Sequence, residues 1–162
     1  MKNLEEKFEE FVSTKENPQD YYIKDGLVCC CGEVFITDED LVNGKLPFRF
    51  GKVDGDFICF FCHSLTSLEG CPEKVVGNFS CPWCDSLTSL EGSPKEVGGD
   101  FNCFHCKNLT TLFGCPEKIG GNVDCSNCTS LTSLDFIPYA IGRRIRVSPE
   151  MKLDVDLYVD VE

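Results

Sequence analysis

The chain has 162 residues, a formal net charge of −12, a hydrophobic fraction of 42% and 13 cysteines. That length fits one domain or one repeat array, and the apolar content excludes wholesale disorder. The acidity argues against direct binding to nucleic acid or to an anionic membrane, because both need clustered Lys and Arg.

The first predicted element is a helix over about residues 3–14. Leu4, Phe8, Phe11 and Val12 share one helical face, Glu5, Glu6, Glu9 and Glu10 lie mostly outside it, and Asn17-Pro18 ends it. Residues 22–36 alternate weakly around Asp25-Gly26 and Gly32, which predicts one or two leading strands. Residues 1–34 together read as an N-terminal cap. The N-terminus has no apolar leader segment and no run of about 18 apolar residues occurs, so a cytoplasmic protein without a membrane span is expected. In that compartment cysteines are reduced thiols or metal ligands rather than a disulfide scaffold.

Residues 35–153 read as a repeat array. Cys59, Cys81, Cys103 and Cys125 stand 22 residues apart, as do Cys62, Cys84, Cys106 and Cys128. Leu65, Leu87, Leu109 and Leu131 keep the same period, and so do Leu68, Leu90, Leu112 and Leu134. Upstream, Phe35 and Thr37 are in phase with Phe57 and Cys59, and Val53 with Val75. Downstream, Ile145 and Val147 continue Val123 and Cys125. About six coils follow, with strands near 35–37, 57–59, 79–81, 101–103, 123–125 and 145–147. One coil cannot bury its own apolar side, so coils stack and their strands pair in parallel. Each unit is a Phe-x-Cys strand, a turn, an extended Leu-Thr-x-Leu step, a Gly-x-Pro corner and a return through Val-Gly-Gly. Proline and two glycines make a helix improbable in that return. The last element, residues 154–162, is a capping strand. Leu153, Val155, Leu157, Val159 and Val161 alternate with acidic residues or Tyr158, a pattern that shields an open sheet edge.

The motif Phe79-x-Cys81-x-x-Cys84-x-x-Leu87-x-x-Leu90 resembles the leucine-rich-repeat core, whose Asn-or-Cys position is cysteine in all four central coils. The wording from Leu65 to Phe79, Leu-Thr-Ser-Leu-Glu-Gly-Cys-Pro-Glu-Lys-Val-Val-Gly-Asn-Phe, resembles the short repeats of small leucine-rich-repeat proteins encoded by tailed bacteriophages. The segment Leu46-Pro-Phe-Arg-Phe-Gly-Lys-Val-Asp-Gly-Asp-Phe57 is similar to theirs too. The resemblance covers roughly residues 22–147. It implies a parallel β-coil solenoid and a binding role, with a host protein in the host cytoplasm as the partner. The chain departs from that family where it has Phe60-Phe61-Cys62, Pro82-Trp83-Cys84 and Phe104-His105-Cys106 in place of small polar residues and Asn.

Three candidate sites emerge. The first is metal: Cys59, Cys62, Cys81 and Cys84, and then Cys103, Cys106, Cys125 and Cys128, form C-x-x-C pairs at zinc-ribbon spacing. The repeat generates the same spacing without metal, as two ladders of buried reduced thiols. No cofactor is expected on that reading; a structural zinc in an adaptor is the alternative. The second is a partner-binding face. Ile58 points away from the core, and Phe60, Phe61, Trp83, Phe104 and His105 fall in adjacent outward rows, with Asp100 beside them. The expected function is non-catalytic protein binding, with self-association through the same face as a second outcome. A terminal segment such as 22–36 folded over these rings would instead make them core. The third is charge: Asp56, Asn78, Asp100, Asn122 and Asp124 share a side, and Arg143, Arg144 and Arg146 lie on the last coil. An acidic nucleic-acid mimic is the corresponding alternative. No enzyme is expected, since Cys106 faces the core beside His105 and no carboxylate pair is set in a pocket.

Overall fold

The computed structural model describes residues 2–13, 20–138, 141–142, 144–149 and 151, and the backbone of 159–161. The expected helix stop at Asn17-Pro18, the residues Leu153, Val155, Leu157 and Tyr158, and Arg143 lie outside the described residues.

The 22-residue period folds as a β-solenoid of about five turns, with parallel strands and a single helix at its N-terminal end. Helix α1 spans Leu4–Ser13. Its first turn is closed reciprocally: the Glu6 N–H donates to Asn3 Oδ1 at 2.9 Å, and the Asn3 N–H donates to Glu6 Oε2 at 2.9 Å. Phe8, fully buried, anchors the helix against Tyr21, Phe48 and Phe50, with ring centroids 4.7, 5.2 and 6.4 Å away. Strands β1 (Tyr21–Lys24) and β2 (Leu27–Cys30) form an antiparallel hairpin. Asp25 and Gly26 close it at φ +54° and +74°, the left-handed pair that a two-residue hairpin turn requires.

Each coil then contributes to two sheets. Strands β3 (Val34–Ile36), β5 (Phe57–Cys59), β7 (Phe79–Ser80), β9 (Phe101–Asn102), β11 (Val123–Cys125), β12 (Ile145–Val147) and β13 (Val159–Val161) form a seven-stranded sheet. Strands β4 (Phe50–Val53), β6 (Lys74–Val75), β8 (Glu96–Val97) and β10 (Lys118–Ile119) extend the β1–β2 hairpin into a six-stranded sheet. The Val-Gly-Gly return is therefore a second parallel sheet rather than a plain connection. Alternating charge ties its outer face: Lys74 and Lys118 both reach Glu96, at 2.9 and 2.8 Å, and Lys95 reaches Glu73 at 2.7 Å.

The register of the first coil differs from the sequence expectation. Val34 pairs with Phe57, Phe35 with Ile58 and Ile36 with Cys59, one residue out of the expected phase. Val34 and Ile36 are buried and Phe35 is 45% exposed. The cause lies in β4. Val28 pairs with Phe50 but Cys30 pairs with Val53, so β4 carries one extra residue at Gly51-Lys52. A one-residue slip reverses every side chain in a strand.

The core is a set of ladders between the sheets. Phe57, Phe79 and Phe101 stack at 5.8 and 5.3 Å with rings nearly parallel. Leu65, Leu87 and Leu109, and Leu68, Leu90 and Leu112, are buried beside them. Each fully buried Phe or Leu is worth about 1.5–3 kcal/mol.

Candidate binding face

After β5, β7, β9 and β11 the chain leaves the seven-stranded sheet in a turn, and one residue of each turn is left-handed. Phe61, Trp83, His105 and Asn127 have φ +54°, +60°, +61° and +58°. Asparagine suits that conformation and histidine adopts it readily; Phe61 and Trp83 do not, at a cost of about 1–2 kcal/mol each. The next coil holds them there. The Phe61, Trp83 and His105 N–H groups donate to the carbonyls of Pro82, Phe104 and Ser126 at 3.3, 3.0 and 2.9 Å.

The strained backbone turns the rings outward into contact with one another. Phe61 stacks on Trp83 at 5.4 Å and 17°, and the His105 ring lies 3.6 Å from Trp83. Phe60 meets Phe61 edge-on at 4.4 Å, and Phe104 meets Trp83 edge-on at 6.0 Å. The Lys107 ammonium sits 5.9 Å from the Trp83 ring, and His63 Nδ1 lies 3.2 Å from Asp85 Oδ2 beside Phe61. Phe60 and Phe61 are 43% and 41% exposed, while Ile58, Trp83, Phe104 and His105 are half-buried by their stacking neighbours. Residues 22–36 do not bury them: apart from Phe35 beside Phe60 the segment contributes to β1, β2 and β3, and Phe60 and Phe61 stay exposed. The face is a preorganised shelf of rings, suited to burying another apolar surface.

Sequence reasoning missed two parts of the exposed aromatic surface. Phe35 joins the shelf 6.3 Å from Phe60 because of the register shift. On a different corner Phe113 and Phe136, 48% and 60% exposed, meet edge-on at 5.4 Å. Phe136 stands at φ +73°, in the slot filled by Gly70, Gly92 and Gly114 in the preceding coils. The 22-residue count from Gly114 was the signal that could have flagged it.

The cysteine ladders serve the backbone. Cys62, Cys84, Cys106 and Cys128 donate to the carbonyls of Ile36, Cys59, Cys81 and Cys103 at 3.5, 3.5, 3.1 and 3.1 Å. Each thiol thus ties its coil to the end of the strand beneath it. Among the described residues no three or more His, Cys, Asp or Glu side chains are grouped as they would be to hold a metal ion. The neighbouring Cys62, Cys106 and Cys128 thiols, together with burial, push Cys59, Cys81 and Cys103 well above the ordinary thiol range. Cys29 and Cys30 are buried and Cys31 is exposed.

The acidic row is likewise engaged. The N–H groups of Asn78, Asp100 and Asn122 each donate at 2.7 Å to the side-chain oxygen one coil back, on Asp56, Asn78 and Asp100. Asp100 therefore belongs to a corner ladder that holds the coils in register. Arg146 lies 3.9 Å from Asp124, and Arg144 is exposed. Among the described residues no helix is long and apolar enough to cross a membrane. No protein-family model, curated protein or solved structure matches this chain.

Proposed function

We propose that this chain is a non-catalytic, leucine-rich-repeat-type binding module of about six coils that docks a protein partner on its aromatic face. The observation that carries this reading is the run Phe35, Phe60, Phe61, Trp83, Phe104 and His105. Two of its members, Phe61 and Trp83, hold strained left-handed backbone while their rings stay exposed or half-exposed at the surface. Strain of that kind collects where function uses it, and aromatic anchors dominate binding energetics. The resemblance to phage leucine-rich-repeat proteins makes a host protein in the cytoplasm the partner in this reading. The engagement of Asp56 and Asp100 by backbone N–H groups favours it over the acidic nucleic-acid mimic. The use of thiols as backbone donors favours it over the zinc adaptor.

Trp83→Asn is the variant for a test, since Asn127 occupies the equivalent turn without strain on the same fold. Quantitative affinity capture from host extract with wild type and Trp83→Asn should show one protein strongly retained by the first and depleted on the second. Equal capture by both would refute the reading.

A further inference from the structure

We propose, resting on the binding face described above, that β3 is a docking edge for an extended, basic segment of the partner, which joins the seven-stranded sheet as one more strand. The far end of that sheet is covered by β13, and the near end of the six-stranded sheet carries the added strand β1, which ends on Lys24. β3 pairs with β5 on one side and, among the described residues, with no strand on the other. The Val34 N–H donates to Asp56 O at 2.8 Å, and Ile36 O accepts from the Phe60 N–H at 3.1 Å, so both residues face inward along the sheet. Strand alternation then turns the N–H and carbonyl of Phe35 toward the open side. The segment Gly32-Glu-Val-Phe-Ile-Thr37 contains neither Lys nor Pro, two of the residues with which edge strands refuse a partner, and its one charge, Glu33, repels an acidic strand but not a basic one.

The surroundings set the chemistry of the occupant. The exposed Phe35 ring abuts Phe60 and through it Phe61, so an apolar side chain of the added strand has a place to pack. The strand is flanked by acid: exposed Glu33 precedes it, and the short helix Asp38–Asp40, sequence Asp-Glu-Asp, follows it. Asp38 is fixed by the N–H and hydroxyl of Ser64, at 2.7 and 2.8 Å. An incoming strand with apolar residues flanked by Lys or Arg complements this rim. A second copy does not, because it would bring two such rims and two net charges of −12 together.

The test uses random peptides of about twelve residues displayed on yeast and selected against the full chain at physiological salt. Selected peptides should carry alternating apolar residues flanked by Lys or Arg. Backbone N-methylation of the synthesised peptide at alternate residues should weaken binding about tenfold or more, and at the intervening residues should not. Phe35→Lys, at an exposed site, should weaken it to the same extent with an unchanged circular dichroism spectrum. Peptides that bind in a Trp83-dependent way but ignore N-methylation and Phe35→Lys would overturn the edge and leave the aromatic face standing. Failure to enrich any peptide over a Phe35→Lys/Trp83→Asn double variant would overturn both. Self-association in sedimentation that Phe35→Lys abolishes would make a second copy the occupant and also overturn the proposal.

Discussion

After β5, β7, β9 and β11 a cysteine thiol points back at a carbonyl of the coil beneath. In Cys106 that bond to Cys81 O is 3.1 Å long and fully buried. Cys106→Ala removes the side-chain donor that reaches that carbonyl and leaves a small void, which should cost about 1–3 kcal/mol in denaturant unfolding. Cys106→Ser, which keeps a donor, should cost less. The thiols also set an alkaline limit. Burial pushes Cys115 and Cys30 from an ordinary 9.0 to about 12. At low pH the Cys115 and Cys30 thiols are protonated in both folded and unfolded chains, and the full contribution of these two is present. As pH rises from 9.0 toward about 12 the unfolded chain releases protons that the folded chain retains, so stability falls across that window. Unfolding free energies measured across it should decline, and Cys115→Ser should flatten the decline. Serine is tolerated at that corner, where Ser93 donates to Gly114 O at 2.5 Å in the preceding coil.

At the scale of elements, the ladders were legible because every coil repeats the same residue at the same phase. Phe57, Phe79 and Phe101, with the two leucine rows, could be assigned to the core from spacing alone. The first coil could not, because Phe35-x-Thr37 imitates the Phe-x-Cys strand and hides the extra residue at Gly51-Lys52. The second sheet was obscured by its two-residue strands, too short to show alternation. The outward rows of the candidate face were readable from strand alternation. Their left-handed backbone was not, since Phe61 and Trp83 are bulky residue types that argue against it, and only His105 and Asn127 are types that adopt it readily. The register predicts a contrast between neighbours. Val34→Asp buries a carboxylate and should cost about 3 kcal/mol or more, while Phe35→Lys should change stability by less than about 1 kcal/mol. Thermal unfolding of the two variants checks this, and the reverse order would restore the register expected from sequence.

For the whole molecule, the solenoid makes one side rigid and gives it a gradient. The early coils show Phe35, Ile58, Phe60, Phe61 and Trp83, and the later coils show Ser126, Asn127, Asp124 and Arg146 at matching positions. In the proposed reading, the net charge of −12 would speed encounter with a basic partner. Because the rings are held by coil-to-coil bonds rather than by a loop, binding should order little of the protein itself. The most direct measurement is the calorimetric affinity of the captured partner for wild type and for Trp83→Asn. Removing a central aromatic anchor should weaken binding about 30-fold, equivalent to about 2 kcal/mol, with the fold intact by circular dichroism. Equal affinities for the two proteins would contradict the account.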